Sequence, residues 1–146
     1  MSHLFCFGFG FTARRLASKL HAAGWSVSAT ARSAEKCAAL MAEGIDCQTF
    51  DGTSLLADLN PLQKATHILL SAPPGEAGDP VLNLHRDDLA AMNSLQWIGY
   101  LSATSVYGDT GGKLVDENAP LRATTARGIR RIESEESWLN NVSTID

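Results

Sequence analysis

Cysteines are few in this sequence of 146 residues, and they lack the spacing of a metal site. Cys6, Cys37 and Cys47 are odd in number, and two of them fall inside predicted strands, where thiols usually act as small apolar side chains. We therefore predict structural cysteines and a cytoplasmic protein. The four histidines are scattered, with no pair at ligand spacing, so we expect no metal site.

Long apolar runs and an excess of basic residues are also missing. No run approaches the roughly 20 residues that a membrane span needs. The N-terminal MSHLFCFGFG has neither a basic start nor a small-residue cleavage site, so we expect no signal peptide and no membrane partner. The net charge of −4 argues against a general affinity for nucleic acid, because phosphate binding needs a basic face.

Short apolar runs alternate with segments of helical periodicity along the whole chain. We predict five strands, at residues 3–8, 25–30, 45–50, 66–71 and 96–102. We predict helices at residues 12–23, 33–43 (with Ser33 as the N-cap), 79–94 (with Asp79 as the N-cap and Pro80 as the first helical residue) and 124–140, and a helical turn around 54–59. This order indicates an α/β fold with a doubly wound parallel sheet, in a single domain spanning residues 1–146.

The first predicted strand ends in Gly8-Phe-Gly10-Phe-Thr-Ala13, and a helix begins at once. This G-x-G-x-x-A pattern, between a strand and a helix, is typical of Rossmann dinucleotide-binding domains. Gly8 permits the tight turn, Gly10 lets the backbone approach a pyrophosphate, and Ala13 keeps the helix near the sheet. The free N–H groups of the first helical turn, at Phe11 and Thr12, can then hold the anion.

The end of the second strand indicates which dinucleotide binds. NAD-binding domains usually carry an acidic residue there to bond the ribose 2′-hydroxyl, but the sequence reads Thr30-Ala-Arg32-Ser33. Arg32 can offer its planar fork to a 2′-phosphate and Ser33 can add a hydroxyl, with Arg14 or Arg15 as a further cation. We therefore predict that the cofactor is NADP in preference to NAD. The alternative is that Arg32 is a solvated residue beside a helix cap.

The glycine pattern and several later motifs resemble the extended and atypical short-chain dehydrogenase/reductase family, which includes the NAD-dependent epimerase/dehydratases. The motifs that carry the resemblance are GFGFTA (8–13), FDG (50–52), SAPP (71–74), YLSATSVYGD (100–109) and VDENAPLRATTARG (115–128). The resemblance covers essentially the whole chain but only about the first half of a typical family member. VSTI (142–145) is then expected to begin a sixth strand, with a substrate domain beyond it in the family.

The resemblance also implies cofactor contacts beyond the glycine turn. Asp51 is expected to meet the adenine amino group, and Ser71, Ala72 and Pro73 are expected to line the cofactor near its nicotinamide ribose. Asp51 has an alternative interpretation as a turn former before Gly52.

The family's chemistry depends on a Tyr-x-x-x-Lys pair on the helix after the fifth strand, and on a hydroxyl three residues before the Val of Val-Tyr-Gly. Aligned on this sequence, the hydroxyl falls on Ala103, the tyrosine on Arg127 and the lysine on Arg131. Arginine stays protonated and cannot shuttle protons near neutral pH, although Arg131 can still donate to the ribose. Tyr107 and Ser102 are the nearby candidates for a catalytic hydroxyl. Alternatively, both arginines lie on a solvated helix face with ion pairs.

Three functional hypotheses are compatible with these motifs. The leading one is an NADP-preferring dinucleotide-binding domain, oxidoreductase- or epimerase-like by descent, without a competent active site. The second is an active oxidoreductase with a non-standard acid such as Tyr107. The third is a non-enzymatic module that binds nucleotide or forms a homo-oligomer through the exposed edge of the fifth strand.

Overall fold

A computed structural model describes residues 1–142 of the chain, which divides into two compact units. The first unit comprises Met1–Ala72 and Val81–Leu101, and the second comprises Pro73–Pro80 and Ser102–Asp146. The single domain expected over residues 1–146 stays a prediction. None of the helices within the described residues combines the length and the apolar character that crossing a membrane requires.

The first unit is built on a five-stranded, all-parallel sheet. Its strands are β1 (His3–Phe7), β2 (Ser26–Ala31), β3 (Asp46–Thr49), β4 (His67–Leu70) and β5 (Trp97–Tyr100). The strand order is β3-β2-β1-β4-β5. In such a sheet the chain turns to opposite sides from β1, which places a crevice between the carboxyl ends of β1 and β4. The predicted α/β class with a Rossmann-type sheet is confirmed.

The helices alternate with the strands as predicted, with small differences at the ends. They are α1 (Phe11–Ala22), α2 (Ala34–Ala42), α3 (Asn60–Gln63), α4 (Pro80–Ala90) and α5 (Ala126–Val142). A 3-10 turn at Thr104–Tyr107, which periodicity did not predict, follows β5. Ser33 caps α2 as expected, since its hydroxyl oxygen accepts the Lys36 N–H at 3.3 Å.

The helical turn expected around residues 54–59 is wrong, because the helix forms immediately after that stretch, as α3. Pro61 lies in its first turn, where no helical N–H bond is needed. The Asp58 side chain, just before the helix, accepts the Asn60 N–H at 2.9 Å. The start of this helix is therefore set by an aspartate and a proline rather than by apolar periodicity.

Two further predictions, on the end of α4 and on a sixth strand, differ from the structure. α4 begins at Pro80 as expected but ends at Ala90, and its backbone leaves helical geometry at His85 (φ −127°, ψ 15°). The expected sixth strand at 142–145 is wrong at its first residue, because Val142 is the last residue of α5. Residues 143–146 lie outside the described part of the chain.

The core of the first unit is centred on β1, which has a strand on either side. Its last four residues, Leu4 to Phe7, are at most 1% exposed, which explains their continuous apolar run. On α1, Ala13 and Ala17 are fully buried. Ala13 therefore keeps α1 close to the sheet, as the glycine pattern predicted.

Candidate functional site

The glycine turn after β1 is fixed by main-chain contacts within the first unit. Gly8 has a positive φ of 85°. A Cβ on Gly8 would lie 3.2 Å from the Ala72 nitrogen and 3.3 Å from the Ser71 carbonyl carbon. The Gly8 N–H donates to the buried Thr30 hydroxyl at 2.9 Å. Glycine is therefore required at this position by both its dihedral angle and the space around it.

The N-terminus of α1 follows this turn and has no side-chain cap. Gly10 is its N-cap residue, no acidic residue lies in the first turn, and the first helical bond joins the Arg14 N–H to the Gly10 oxygen at 2.9 Å. Phe11 and Thr12 are exposed at this end, Phe11 at 83%. A helix of 12 residues with an uncapped N-terminus offers free N–H groups and a positive partial charge to an anion.

The end of β2 is followed by Arg32 and by the hydroxyl of Ser33. Arg32 is exposed, and the Ser33 hydroxyl oxygen accepts the Lys36 N–H. Arg14 instead forms an ion pair with Glu43, at the C-terminal end of α2. Because α2 has nine residues and is about 13 Å long, this pairing holds Arg14 away from the end that Ser33 caps.

Asp51 follows β3, beside the end of β2, because the Phe50 N–H donates to the Ala31 oxygen at 2.9 Å. Its Oδ1 accepts both the N–H and the hydroxyl of Thr53, at 2.9 and 2.7 Å. These hydrogen bonds lower the pKa of Asp51 below its ordinary value. The turn-forming interpretation is therefore confirmed, while the adenine contact stays a prediction that would use Oδ2.

In the second unit, the Val-Tyr-Gly segment is held against the chain that returns to it. The Arg122 N–H donates to the oxygen of the buried Val106 at 2.9 Å. Gly108 has a φ of 68°, and a Cβ placed on it would lie 2.1 Å from the Arg122 oxygen. This close backbone approach makes Gly108 the most tightly constrained glycine of the second unit.

The start of α5 contacts the same 3-10 turn through a second glycine. Thr125 caps the helix by accepting the Gly128 N–H at 3.1 Å. A Cβ on Gly128 would lie 2.8 Å from the Ser105 oxygen and 2.8 Å from the Ala123 Cβ. The two motifs that carried the family resemblance in this part of the chain are therefore packed together through glycine.

The side chains at the expected catalytic positions differ in exposure. Arg127 is exposed, whereas Arg131 is only 7% exposed. The solvated-face interpretation is therefore wrong for Arg131. Ser102 is exposed and Tyr107 is half-buried, and within residues 1–142 the Tyr107 hydroxyl makes no hydrogen bond to another residue.

A buried carboxylate fixes the inner face of α5, and sequence reasoning missed this role. Asp79 is 5% exposed, and its Oδ2 accepts the Ser134 hydroxyl at 2.8 Å and the Trp138 indole N–H at 3.0 Å. The spacing of Ser134 and Trp138, four residues apart on one helix face, was the available signal. It does not indicate a partner more than 50 residues away in the sequence.

The structure thus brings together part of the predicted cofactor set at the carboxyl edge of the first unit. Gly8 and Gly10 lie beside Ser71 and Ala72 at the crevice between β1 and β4, and the atom nearest to a Cβ placed on Gly10 is Ser71 Oγ at 3.9 Å. Thr30, on β2, holds the turn from the other side of β1 by accepting the Gly8 N–H. Pro73, Ser102, Tyr107 and Arg131 belong to the second unit. Within residues 1–142, no three His, Cys, Asp or Glu side chains are grouped as metal ligands.

No family model matches this chain, but individual proteins and solved structures are similar to it. Protein YeeZ from Escherichia coli (strain K12) is 30% identical over 144 residues, covering 92% of this chain and 52% of YeeZ. A functionally unknown conserved protein from Silicibacter pomeroyi DSS has a structure that is 39% identical with a TM-score of 0.81, covering 94% of this chain and 48% of that one. The chain spans about half the length of these relatives.

More distant structures show the same fold. UDP-N-acetylglucosamine 4-epimerase from Bacillus cereus has a TM-score of 0.68 at 18% identity, covering 93% of this chain and 53% of that one. Gre2 from Candida albicans, in complex with NADPH, has a TM-score of 0.70 at 16% identity, covering 100% of this chain and 54% of that one. The predicted resemblance is thereby confirmed at the level of fold, because this chain shares its architecture with about half of each of these epimerase and reductase structures.

Proposed function

We propose that this chain binds a nicotinamide dinucleotide, NADP(H) in preference to NAD(H), at the carboxyl edge of its sheet. The observation that carries the proposal is the Gly8 turn, whose positive φ and missing Cβ let the backbone after β1 lie against Ser71 and Ala72. Thr30 fixes the turn through the Gly8 N–H. A pyrophosphate needs this kind of rigid, side-chain-free approach to the backbone.

The uncapped N-terminus of α1 supports the same ligand. The N–H groups of Phe11 and Thr12 are available to a phosphate, and no acidic side chain in the first turn repels it. The structure of Gre2 was determined with NADPH. That of MoeE5, which has a TM-score of 0.69 at 19% identity and covers 97% of this chain and 49% of that one, was determined with UDP-glucose and NAD. These two similar folds support a nicotinamide dinucleotide as the class of ligand, and leave the choice of dinucleotide to residues of this chain.

The preference for NADP(H) is argued from the residues after β2. The stretch from Thr30 to Ser33 contains no acid that could bond a ribose 2′-hydroxyl, and Arg32 presents an exposed guanidinium there. A serine hydroxyl both accepts and donates, so Ser33 can donate its O–H to the same phosphate while it accepts the Lys36 N–H. A charge-assisted contact of this kind contributes about 1.5–3 kcal/mol, or roughly 10- to 100-fold in affinity.

We further propose that this chain does not carry the proton transfer expected of the family. A bound NADP(H) supplies hydride chemistry, but Ala103 and Arg127 replace the hydroxyl and the tyrosine that would handle the proton. Arg131 keeps a cationic donor at the lysine position. The half-buried Tyr107, whose hydroxyl is unpartnered within residues 1–142, favours a non-standard oxidoreductase as the second candidate function.

Self-association through the outer strand stays a prediction. In the described sheet β5 is the last strand, beside β4, and an outermost strand is where a further strand would pair.

Calorimetric titration of the purified chain with NADPH and, separately, with NADH tests the proposed ligand. We expect NADPH to bind at least 10-fold more tightly than NADH. Arg32→Ala should weaken NADPH binding about 10- to 100-fold and leave NADH binding within about 3-fold, because only NADPH carries the 2′-phosphate.

Lys19→Ala is the matched control, since it removes one exposed positive charge from the last turn of α1, far from its N-terminus. It should leave both affinities unchanged. Equal affinities for the two dinucleotides would contradict the NADP preference alone. Absence of binding to both would contradict the proposed function as a whole.

A further inference from the structure

Two of the three cysteines meet at the outer edge of the sheet in the first unit. Cys37 lies on α2 and Cys47 on β3, and their Sγ atoms are 2.8 Å apart. Unbonded carbon atoms, which are smaller than sulfur, pack at about 3.5–4.0 Å, and the two sulfurs of a disulfide lie about 2.05 Å apart. Closing this pair therefore requires a shift of under about 1 Å.

The two elements that carry these thiols are consecutive in the chain and tightly connected. The turn between them is held by Gly44 N–H to Met41 oxygen and Ile45 N–H to Leu40 oxygen, both at 3.0 Å. The pairing of β2 with β3 and the packing of α2 then bring the two sulfurs together in the interior, where both residues are less than 9% exposed. This proximity depends on the fold. The spacing of the cysteines in the sequence, from which we predicted a structural role for them, does not indicate it.

The third cysteine differs in its position. Cys6 lies on β1, two strands inward from β3, or about 10 Å away across the sheet. It is completely buried. Cys6 therefore serves as an internal reference for a buried thiol without a neighbouring thiol at bonding range.

We propose that Cys37 and Cys47 are a modification site at which a peroxide forms a reversible intramolecular disulfide. One sulfur attacks a peroxide oxygen; the O–O bond breaks, a sulfenic acid forms and one water leaves. The second sulfur attacks the sulfenic sulfur; the S–S bond forms, the S–O bond breaks and a second water leaves. Both thiol protons end in the two waters, and the two electrons from sulfur reduce the peroxide.

The position of the pair determines how fast it reacts. Burial raises the pKa of the Cys47 thiol to about 12, and its hydrogen bond with Cys37 contributes, so little thiolate is present at neutral pH. Within the described residues β3 pairs only with β2, and edge elements open locally at lower free energy than central ones. We expect oxidation over minutes to hours, which is the ordinary range for disulfide formation without a catalyst.

The bond would tie the outer strand to α2. The closed loop contains α2's second half and the turn to β3, and cross-links of this kind raise stability mainly by restricting the unfolded chain. We expect the midpoint of thermal unfolding to rise by about 5–10 °C on oxidation and to return after dithiothreitol. The bond forms whether or not a dinucleotide binds, so its test is independent of the proposed function.

The direct test treats the full chain with hydrogen peroxide, removes the excess with catalase, alkylates the remaining thiols after denaturation, and maps peptides by mass spectrometry. Trypsin leaves both cysteines in one peptide, residues 37–64, so cleavage after Glu43 is added to separate them. We expect two peptides joined through Cys37 and Cys47, about 2 Da lighter than their sum and separated by dithiothreitol. Cys6 should be recovered alkylated.

Matched variants separate this bond from general oxidation. Cys6→Ala should keep both the cross-link and the rise in unfolding temperature, whereas Cys37→Ala and Cys47→Ala should lose both. The wild-type mapping does not depend on whether the variants fold. The proposal is wrong if the oxidised wild type contains sulfinic acids on Cys37 or Cys47, or intermolecular dimers, without the joined peptides.

Discussion

The two units of this chain preserve different parts of the resemblance to dehydrogenase/reductases. In the first unit, the predicted nucleotide edge depends mainly on the main chain: the φ of Gly8, its N–H, and the open end of α1. In the second unit, Gly108 and Gly128 keep the backbone frame, while the side chains expected to react are replaced. The packing of this backbone depends on its glycines and not on the side chains that we propose have lost proton transfer, so the two can change independently.

This difference can be tested by disturbing one frame at a time, and the largest effect is expected at Gly108. Gly108→Ala places a Cβ 2.1 Å from a backbone oxygen in a residue with positive φ. We expect the free energy of unfolding to fall by about 3–5 kcal/mol, from overpacking and the left-handed backbone together. Urea unfolding followed by tryptophan fluorescence measures it, since Trp138 is buried in the same unit.

Gly112→Ala is the control for this change, because Gly112 also has a positive φ but nothing within 4 Å of its Cβ position. It should lower the free energy of unfolding by only about 1–2 kcal/mol. Equal losses in the two variants would mean that the contact with Arg122 does not constrain the segment.

A smaller change in stability, but a larger change in binding, is expected at Gly8. Gly8→Ala combines a φ of 85° with contacts of 3.2–3.3 Å to the backbone after β4. We expect the free energy of unfolding to fall by about 2–3 kcal/mol and NADPH binding to weaken about 100-fold or more, because the turn must move where the pyrophosphate is proposed to lie. Calorimetric titration and urea unfolding measure the two effects.

Gly24→Ala provides the comparison, since Gly24 has the same φ of 85° with open space around it. It should lose about 1–2 kcal/mol of stability and keep its affinity for NADPH. If Gly24→Ala weakened binding as much as Gly8→Ala, the loss would reflect general destabilisation and not the turn.

Much of this edge could be predicted because its signals are local in the sequence. The G-x-G-x-x-A pattern, the end of β2 and the cap at Ser33 each lie within a few residues, and the structure places them at the ends of parallel strands as expected. The bond from Gly8 to Thr30 could not be predicted from spacing, since it depends on β1 and β2 being neighbours in the sheet. The strand order is set by packing of the whole chain and leaves no local pattern.

The second unit shows the same limit more strongly. The carboxylate of Asp79 meets Ser134 and Trp138 across 55 and 59 residues of sequence. A solvated face was a reasonable interpretation of Arg131 among so many charged residues, but the helix buries it with Ser134 and Trp138. Buried polar groups follow from tertiary partners, which charge patterning along a helix does not identify.

The smallest expected effect is a pH dependence of stability that arises in the first unit, which contains Cys6, Cys37 and Cys47. Burial raises the pKa of the Cys6 thiol from 9.0 to about 12. The folded state therefore keeps its proton where the unfolded state loses one, so the contribution to stability is complete below pH 9 and is lost as the pH rises towards 12. Between pH 8 and pH 10 the ionisation of Cys6 should lower the free energy of unfolding by about 1.4 kcal/mol.

Cys6→Ala isolates this contribution, because the other two thiols remain in place. Urea unfolding at pH 8 and pH 10, under reducing conditions, should show that the variant loses about 1.4 kcal/mol less than the wild type over this interval, whatever its stability at pH 8. An identical loss in both proteins would mean that Cys6 is ionised as easily in the folded state as in the unfolded one. Water would then reach Cys6 in the folded state. In that case β1 would be less tightly packed than its burial implies, and it would position Gly8 less rigidly for the proposed dinucleotide.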